Sequence, residues 1–134
     1  MLYTIIAPVY ITIPRVTKKD KIIPLSLNWY RNAHHIEANN VKIKYKESLS
    51  NQILSLPMFG SILVGFDYYP KTKQRSDLGN WVSISEKFFL DALVELGKLE
   101  DDSCYYVPRT FPRFQCIDPK KKGKMIITIE EIFP

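Results

Sequence analysis

The sequence predicts a single α+β domain, with a mixed or antiparallel sheet of about four strands packed against two helices. Three observations lead there. The run Ser61–Tyr69, S-I-L-V-G-F-D-Y-Y, is apolar enough for a central strand and is bracketed by Gly60 and Pro70. Residues 36–56 and 83–96 each place apolar side chains at the i, i+3, i+4, i+7 spacing of a helix with one buried face. The chain opens and closes in extended, β-branched segments, and no repeat, low-complexity stretch or linker divides it.

Taken in order, residues 3–14, Y-T-I-I-A-P-V-Y-I-T-I-P, read as strand. Pro8 lacks the N–H that a ladder needs, so it marks an edge, a bulge or a break into two short strands. Residues 15–21 form a basic turn or hairpin tip, and 22–27 a second short extended piece limited by Pro24. Asn28-Trp29-Tyr30-Arg31-Asn32 joins amide, aromatic and cationic side chains. That composition suits a nucleic-acid-contact loop, with Arg31 on phosphate and Trp29 or Tyr30 stacked on a base. It suits a pair of core aromatics equally well. His34 and His35 follow with no cysteine at zinc spacing, which argues against zinc. In the helix at 36–56, Val41, Tyr45, Leu49, Ile53 and Leu56 share a face, and Asn39 or Asn40 is placed to cap it. Lys42 and Lys46 lie elsewhere, where simple solvation outweighs phosphate contact as a reading.

Beyond Pro70, Lys71, Lys73 and Arg75 make a basic loop leading to Asp77, a charge pattern suited to seating a phosphate. The next helix buries Val82, Ser85, Phe88, Phe89, Ala92, Leu93 and Leu96, and turns Asn80, Ser83, Lys87 and Asp91 the other way. Ser83-x-x-Glu86 matches a capping box and sets the start near Ser83. Gly97 ends the helix, and Glu100, Asp101 and Asp102 follow. Singly, these acids have ordinary explanations: a cap, a Lys87–Asp91 surface pair, a solvated turn. Together, carboxylates beside a lysine are a donor set for a hard divalent cation, Mg²⁺ or Mn²⁺, with one cationic group left for a phosphate. A helix over 83–96 is roughly 20 Å long. Asp77 and Asp102 therefore meet only if the chain folds back along the helix after Gly97, or if two copies share a site.

Residues 103–108 are short and extended, and 109–117, R-T-F-P-R-F-Q-C-I, resume as an aromatic-rich strand. Asp118-Pro119 and the lysines around Gly123 make a hairpin turn into a closing strand at 125–132.

The central residues, Asp77-Leu78-x-Asn80, Lys87, Leu90-Asp91-Ala92-Leu93, Gly97 and Asp101-Asp102, resemble the RusA family of Holliday-junction resolvases. Ser26-Leu27-Asn28-Trp29-Tyr30-Arg31 is similar to that family's early S-x-N-x-Y segment, and 125–132 to its last strand. The resemblance covers most of the chain, and its specific part is the central stretch. It implies a small homodimeric, Mg²⁺-dependent endonuclease that cuts four-way DNA junctions, with Asp77, Asp102 and Lys87 in its site. Asn28, Tyr30, Arg31, Lys71, Lys73, Arg75 and Asn80 are the candidate DNA contacts. The two-fold symmetry of a four-way junction fits a C2 dimer.

Where the family pattern has a second aspartate, this chain has Gly79. The interval from Asn80 to Lys87 is also longer, by about one helical turn, and brings in Glu86. Two readings follow. Glu86, with Asp91 or Asp101, completes the metal shell of an active enzyme. Alternatively, Glu86 is only the capping partner of Ser83, and the chain binds branched DNA without cutting it.

The net charge of +5 suits a chain that meets a phosphate backbone. No apolar run is long enough to cross a membrane. Met1-Leu2-Tyr3-Thr4 enters a strand with no basic leader, so the expectation is a cytoplasmic protein, and the resemblance implies a bacterium or a phage-infected cell. Cys104 and Cys116 have no C-x-x-C partner and read as structural thiols. The sequence has no P-loop, dinucleotide fingerprint or G-x-S-x-G, so nucleotide-cofactor and serine-hydrolase readings have no support.

Overall fold

The strand expected at the centre, β4 (Ser61–Tyr69), has a neighbour on each side. In this computed structural model, which describes residues 1–73 and 77–133 (backbone alone at Phe133), the elements run in a simple order. They are β1 (Leu2–Ala7), β2 (Tyr10–Ile13), β3 (Lys21–Pro24), α1 (Leu27–Asn32), α2 (His35–Leu54), β4, α3 (Leu78–Glu95), β5 (Arg109–Phe114) and β6 (Lys124–Phe133). The main sheet has the order β1-β6-β4-β5, with β6 antiparallel to β1 and β4, and β5 parallel to β4. The fold is therefore the α+β domain with a mixed four-stranded sheet that the sequence predicts.

Pro8 resolves into a break: β1 stops at Ala7 and β2 starts at Tyr10. β2 then leaves the main sheet and pairs antiparallel with β3, with the basic segment between them as the hairpin tip. The turn near Gly123 differs from expectation. It is not a hairpin, because β4 lies between β5 and β6 in the sheet. Gly123 still needs its positive φ of 79°. A Cβ there would fall 2.9 Å from Val9 Cγ2 and 3.1 Å from Tyr10 Cε2, so this turn is pressed against the start of β2.

Alternation along β4 sorts its side chains by face. Ile62, Val64, Phe66 and Tyr68 are buried on the helix side, where Phe66 meets Phe89 of α3. Leu63, Gly65 and Asp67 take the other face. There Arg113 of β5 grips Asp67 through two hydrogen bonds of 2.7 and 3.0 Å.

The helical stripes are buried as their periodicity requires. Val41, Tyr45, Leu49 and Ile53 of α2, and Val82, Ser85, Phe88, Phe89, Ala92 and Leu93 of α3, are in the core. Their caps differ from expectation. The cap of α2 is His34, whose Nδ1 accepts from the Ile36 N–H at 3.2 Å, so Asn39 and Asn40 lie within the helix. The cap of α3 is Asp77, and the helix starts at Leu78, about one and a half turns before the Ser83 start of the capping-box reading. Ser83 donates back to the Gly79 carbonyl instead, and Glu86 is not its capping partner.

At the far end, Gly97 takes φ 77°. Lys98 N–H donates to Leu93 O at 2.9 Å and Gly97 N–H to Val94 O at 3.1 Å, the paired bonds of a Schellman motif. The two long helices are joined across their polar edges by Lys42–Asp91 at 2.8 Å and Lys46–Glu95 at 2.7 Å. Cys104 and Cys116 are exposed and free, so neither is a buried structural thiol. Among the described residues no helix is long and apolar enough to cross a membrane.

Candidate nucleic-acid interface

The two segments that carry the resemblance meet at one corner. Ser26 caps α1 by accepting from the Trp29 N–H at 3.1 Å, which leaves the first N–H groups of that short helix pointing outward. One of them, on Asn28, donates to Oδ1 of Asn80 at 3.0 Å. Asn80 sits in the first turn of α3, and its own N–H donates to the Asp77 carbonyl at 3.0 Å. Asn28, Asn80 and Asp77 thus form one connected backbone and side-chain assembly. The Asp77 carboxylate accepts from the Gly79 N–H at 3.2 Å and remains exposed. A carboxylate at this end is favoured by the orphan N–H groups and the helix dipole.

The sequence leading to Asp77 is basic. Lys71 and Lys73 are exposed, and Lys71 Nζ stands 5.4 Å from the centroid of the Tyr10 ring. The lysine turn reaches the same place: a Cβ on Gly123 would lie 3.5 Å from Lys71 Cβ. That turn is anchored by Asp118, a buried carboxylate that accepts from the N–H groups of Lys120, Lys122 and Gly123. Burial works to raise its pKa, but those N–H groups and the Lys124 charge hold it below the usual carboxylate value. Arg75, the third cation of the basic loop, lies outside the described residues.

Further along α3, Lys87 is exposed and lines a groove of about 410 Å³ with Tyr30, His35, Asn39 and Lys42. Among the described residues Lys87 has no hydrogen bond or ion pair, whereas Lys42 is held by Asp91 and Glu95. The hydrogen bond from Asp91 is the leading cause of a raised Lys42 pKa. Arg31 stands exposed at the end of α1. Tyr30 is half-buried with its ring edge-on to Phe88 at 6.1 Å, and the Trp29 indole N–H donates to Glu37 at 3.2 Å. The 28–32 segment is therefore a short packed helix, and its aromatics hold α1 down.

The acids do not gather within one chain. α3 has 18 residues, so it is about 27 Å long, with Asp77 at one end and Asp102 beyond the other. The chain after Gly97 does not fold back along the helix. Lys98 O accepts from Phe59 N–H at 2.8 Å, and Leu99 is buried, which carries the segment to the start of β4. Glu86 lies about 13 Å along the axis from Asp77 at 1.5 Å per residue, too far to replace the carboxylate absent at Gly79. Asp91 is engaged by Lys42. Asp101 accepts from the Asp102 N–H at 2.8 Å, and Glu100 from the Tyr106 hydroxyl at 2.9 Å. Among the described residues no group of three or more His, Cys, Asp or Glu side chains is placed to hold a metal ion. The Mg²⁺ ligand set of Asp77 and Asp102 does not fit a single chain.

Two features of the corner escaped the sequence reading. The Asn28–Asn80 bond has no local signal, since its partners are far apart in sequence. Trp81 follows Asn80 directly and stacks on Tyr68 of β4 at 5.4 Å. Its adjacency to the D-L-x-N pattern was the available clue. No protein-family model matches the chain, and no curated protein is significantly similar to it.

Proposed function

We propose that the chain acts on branched DNA as a homodimeric, structure-selective endonuclease of the Holliday-junction resolvase type. The observation that carries this reading is the Asn28–Asn80 hydrogen bond, which ties the two resembling segments together beside Asp77. Exposed Lys71 and Lys73, which precede Asp77 in the chain, provide sequence-independent, salt-sensitive attraction to phosphates. Lys87, unpaired in its groove, is available to neutralise a phosphate oxygen. Because one chain keeps Asp77 and Asp102 at opposite ends of α3, the reading requires the Asp77 end of one copy to meet the Asp102 end of another. Mg²⁺, or Mn²⁺ in its place, belongs to that two-chain site.

A second reading, junction binding without cleavage, is favoured by Gly79, which leaves Asp77 without a neighbouring carboxylate in D-L-G-N. The experiment that separates them uses a labelled four-way junction beside a linear duplex of the same sequence, with and without Mg²⁺ or Mn²⁺. Metal-dependent nicks confined to the junction support the endonuclease. Junction-selective binding without nicks supports the second reading. Equal affinity for junction and duplex contradicts both.

A further inference from the structure

We infer that the sheet face turned away from the helices is a docking surface for a second copy of this chain, with Arg109 and Glu130 pairing reciprocally across a two-fold axis that runs along β4. The inference goes beyond the branched-DNA reading and does not depend on it. Asp77 and Asp102 belong to the two ends of α3, which packs on the opposite face of the sheet, so this contact is separate from the one that a shared site requires.

Strand pairing fixes what stands on this face. Residues paired across neighbouring strands point their side chains the same way. Leu2, Glu130, Leu63 and Arg109 therefore form one row across β1, β6, β4 and β5. The next row holds Thr128, Gly65 and Phe111, and the one after it Asp67 and Arg113. Arg109 and Glu130 are exposed and flank Leu63 on either side. Among the described residues neither is in an ion pair. Arg109 rests instead over the ring of Phe111, 4.5 Å from its centroid. Gly65 has no side chain, and a hollow of about 450 Å³ opens over it and Thr128, beside Phe111.

The symmetry of these features about β4 decides what the face fits. β5 and β6 are the two neighbours of β4, so a two-fold axis along that strand sets β5 of one copy over β6 of the other. Arg109 then faces Glu130 of the second copy, and Glu130 faces its Arg109. One contact made twice gives both unpaired charges a partner. The same rotation sets each Phe111 over the hollow at Gly65 and Thr128 of the other copy, and it brings the two Leu63 side chains together. Leu2, 64% exposed beside Glu130, is placed to cover the aliphatic stem of the Arg109 that arrives there. Asp67 is set against its own counterpart, but Arg113 already holds it at 2.7 Å, so it brings no bare charge. Sheets packed face to face lie about 10 Å apart with their strands within about 30°. An unlike partner would have to match an acid and a base on either side of β4, and the chain's own face carries both at that spacing.

The test reads the mass of the assembly by sedimentation and light scattering, without DNA. Arg109→Glu alone and Glu130→Arg alone each set like charges against one another at both contacts, and each is expected to halve the wild-type mass. Mixed in equal amounts, one partner is acidic at both positions and the other basic at both, so the mixture is expected to recover the wild-type mass. That recovery separates a lost contact from a damaged fold. The chain carrying both substitutions exchanges the two charges and is expected to keep the wild-type mass. A monomeric wild type overturns the inference. So does a mass that neither single reversal changes, which places the contact between copies on another surface and leaves the function reading standing. A mixture that stays at half mass, with both variants folded by circular dichroism, overturns it as well. If junction cleavage is absent while the masses behave as expected, the function reading fails and this contact stands.

Discussion

The backbone N–H of Asn28 donates to Oδ1 of Asn80 at 3.0 Å, and so the first turn of α1 is held to the first turn of α3. The bond supplies a partner for an N–H that a helix start otherwise leaves to solvent. Asn80→Ala is expected to destabilise the fold by about 1 kcal/mol. Asn80→Asp, which keeps an acceptor oxygen, is expected to lose less. Urea midpoints of the two variants check this, and equal losses would mean that the oxygen is not what matters.

Tyr45 Oη and Ser85 Oγ are buried without a hydrogen-bond partner among the described residues. An unsatisfied buried hydroxyl opposes folding, and burial accordingly pushes the Tyr45 phenol pKa well up. Tyr45→Phe and Ser85→Ala are each expected to be neutral or to stabilise by up to about 1 kcal/mol. A loss above about 2 kcal/mol in thermal unfolding would show that these hydroxyls have partners in solution.

Gly79 can accept a side chain. Among the described residues a Cβ built there meets only Asp77 Oδ1, at 3.8 Å, an ordinary contact. Gly79→Asp is therefore expected to fold as wild type does and to set a second carboxylate beside Asp77. The endonuclease reading predicts that it increases metal-dependent junction cleavage. An unchanged or lower rate with intact junction binding would count against a metal site at this corner.

Glu95 has a lowered pKa, first because Lys46 donates to it, and Lys42 has a raised one, first because Asp91 accepts from it. The signs differ. The Glu95 contribution is present above its unfolded value of 4.5 and is lost as pH falls through the lower folded value. The Lys42 contribution is present below 10.5 and is lost as pH rises through the higher folded value. Both pairs are partly exposed, so each is worth only a few tenths of a kcal/mol to about 1 kcal/mol. Glu95→Gln is expected to lower stability near neutral pH by that amount and to flatten the acid limb. An acid limb of unchanged slope would remove Glu95 from the account.

The buried faces were legible because local periodicity encodes them: Val41, Tyr45, Leu49 and Ile53 repeat at helical spacing and are all in the core. The start of α3 was not legible, because Asp77 and Ser83 both have N-cap chemistry. The choice between them depends on contacts from elsewhere, such as Trp81 on Tyr68 and Asn80 on Asn28. The turn at Gly123 was misjudged for a related reason. Neighbouring strands in sequence usually pair, but β5 pairs with β4 in parallel, a long-range choice that no turn residue announces. Asp91 has Lys87 at i−4 and so suggested a pair within its own helix. Lys42 of α2 reaches it instead, and among the described residues the Lys87 ammonium has no partner. Sequence alone left a fold-back or a shared site as the ways for Asp102 to reach Asp77. The path of the chain after Gly97 removes the fold-back.

The central claim is that Asp77 and Asp102 work from different copies of the chain. It is tested most directly by mixing two purified variants, Asp77→Asn and Asp102→Asn, and assaying nicking of a labelled four-way junction in Mg²⁺. The account predicts that each variant alone is inactive. In the mixed dimer one site keeps both aspartates, one from each chain, so the mixture regains junction-confined nicks. A mixture as inactive as its parts, with subunit exchange verified, would contradict it.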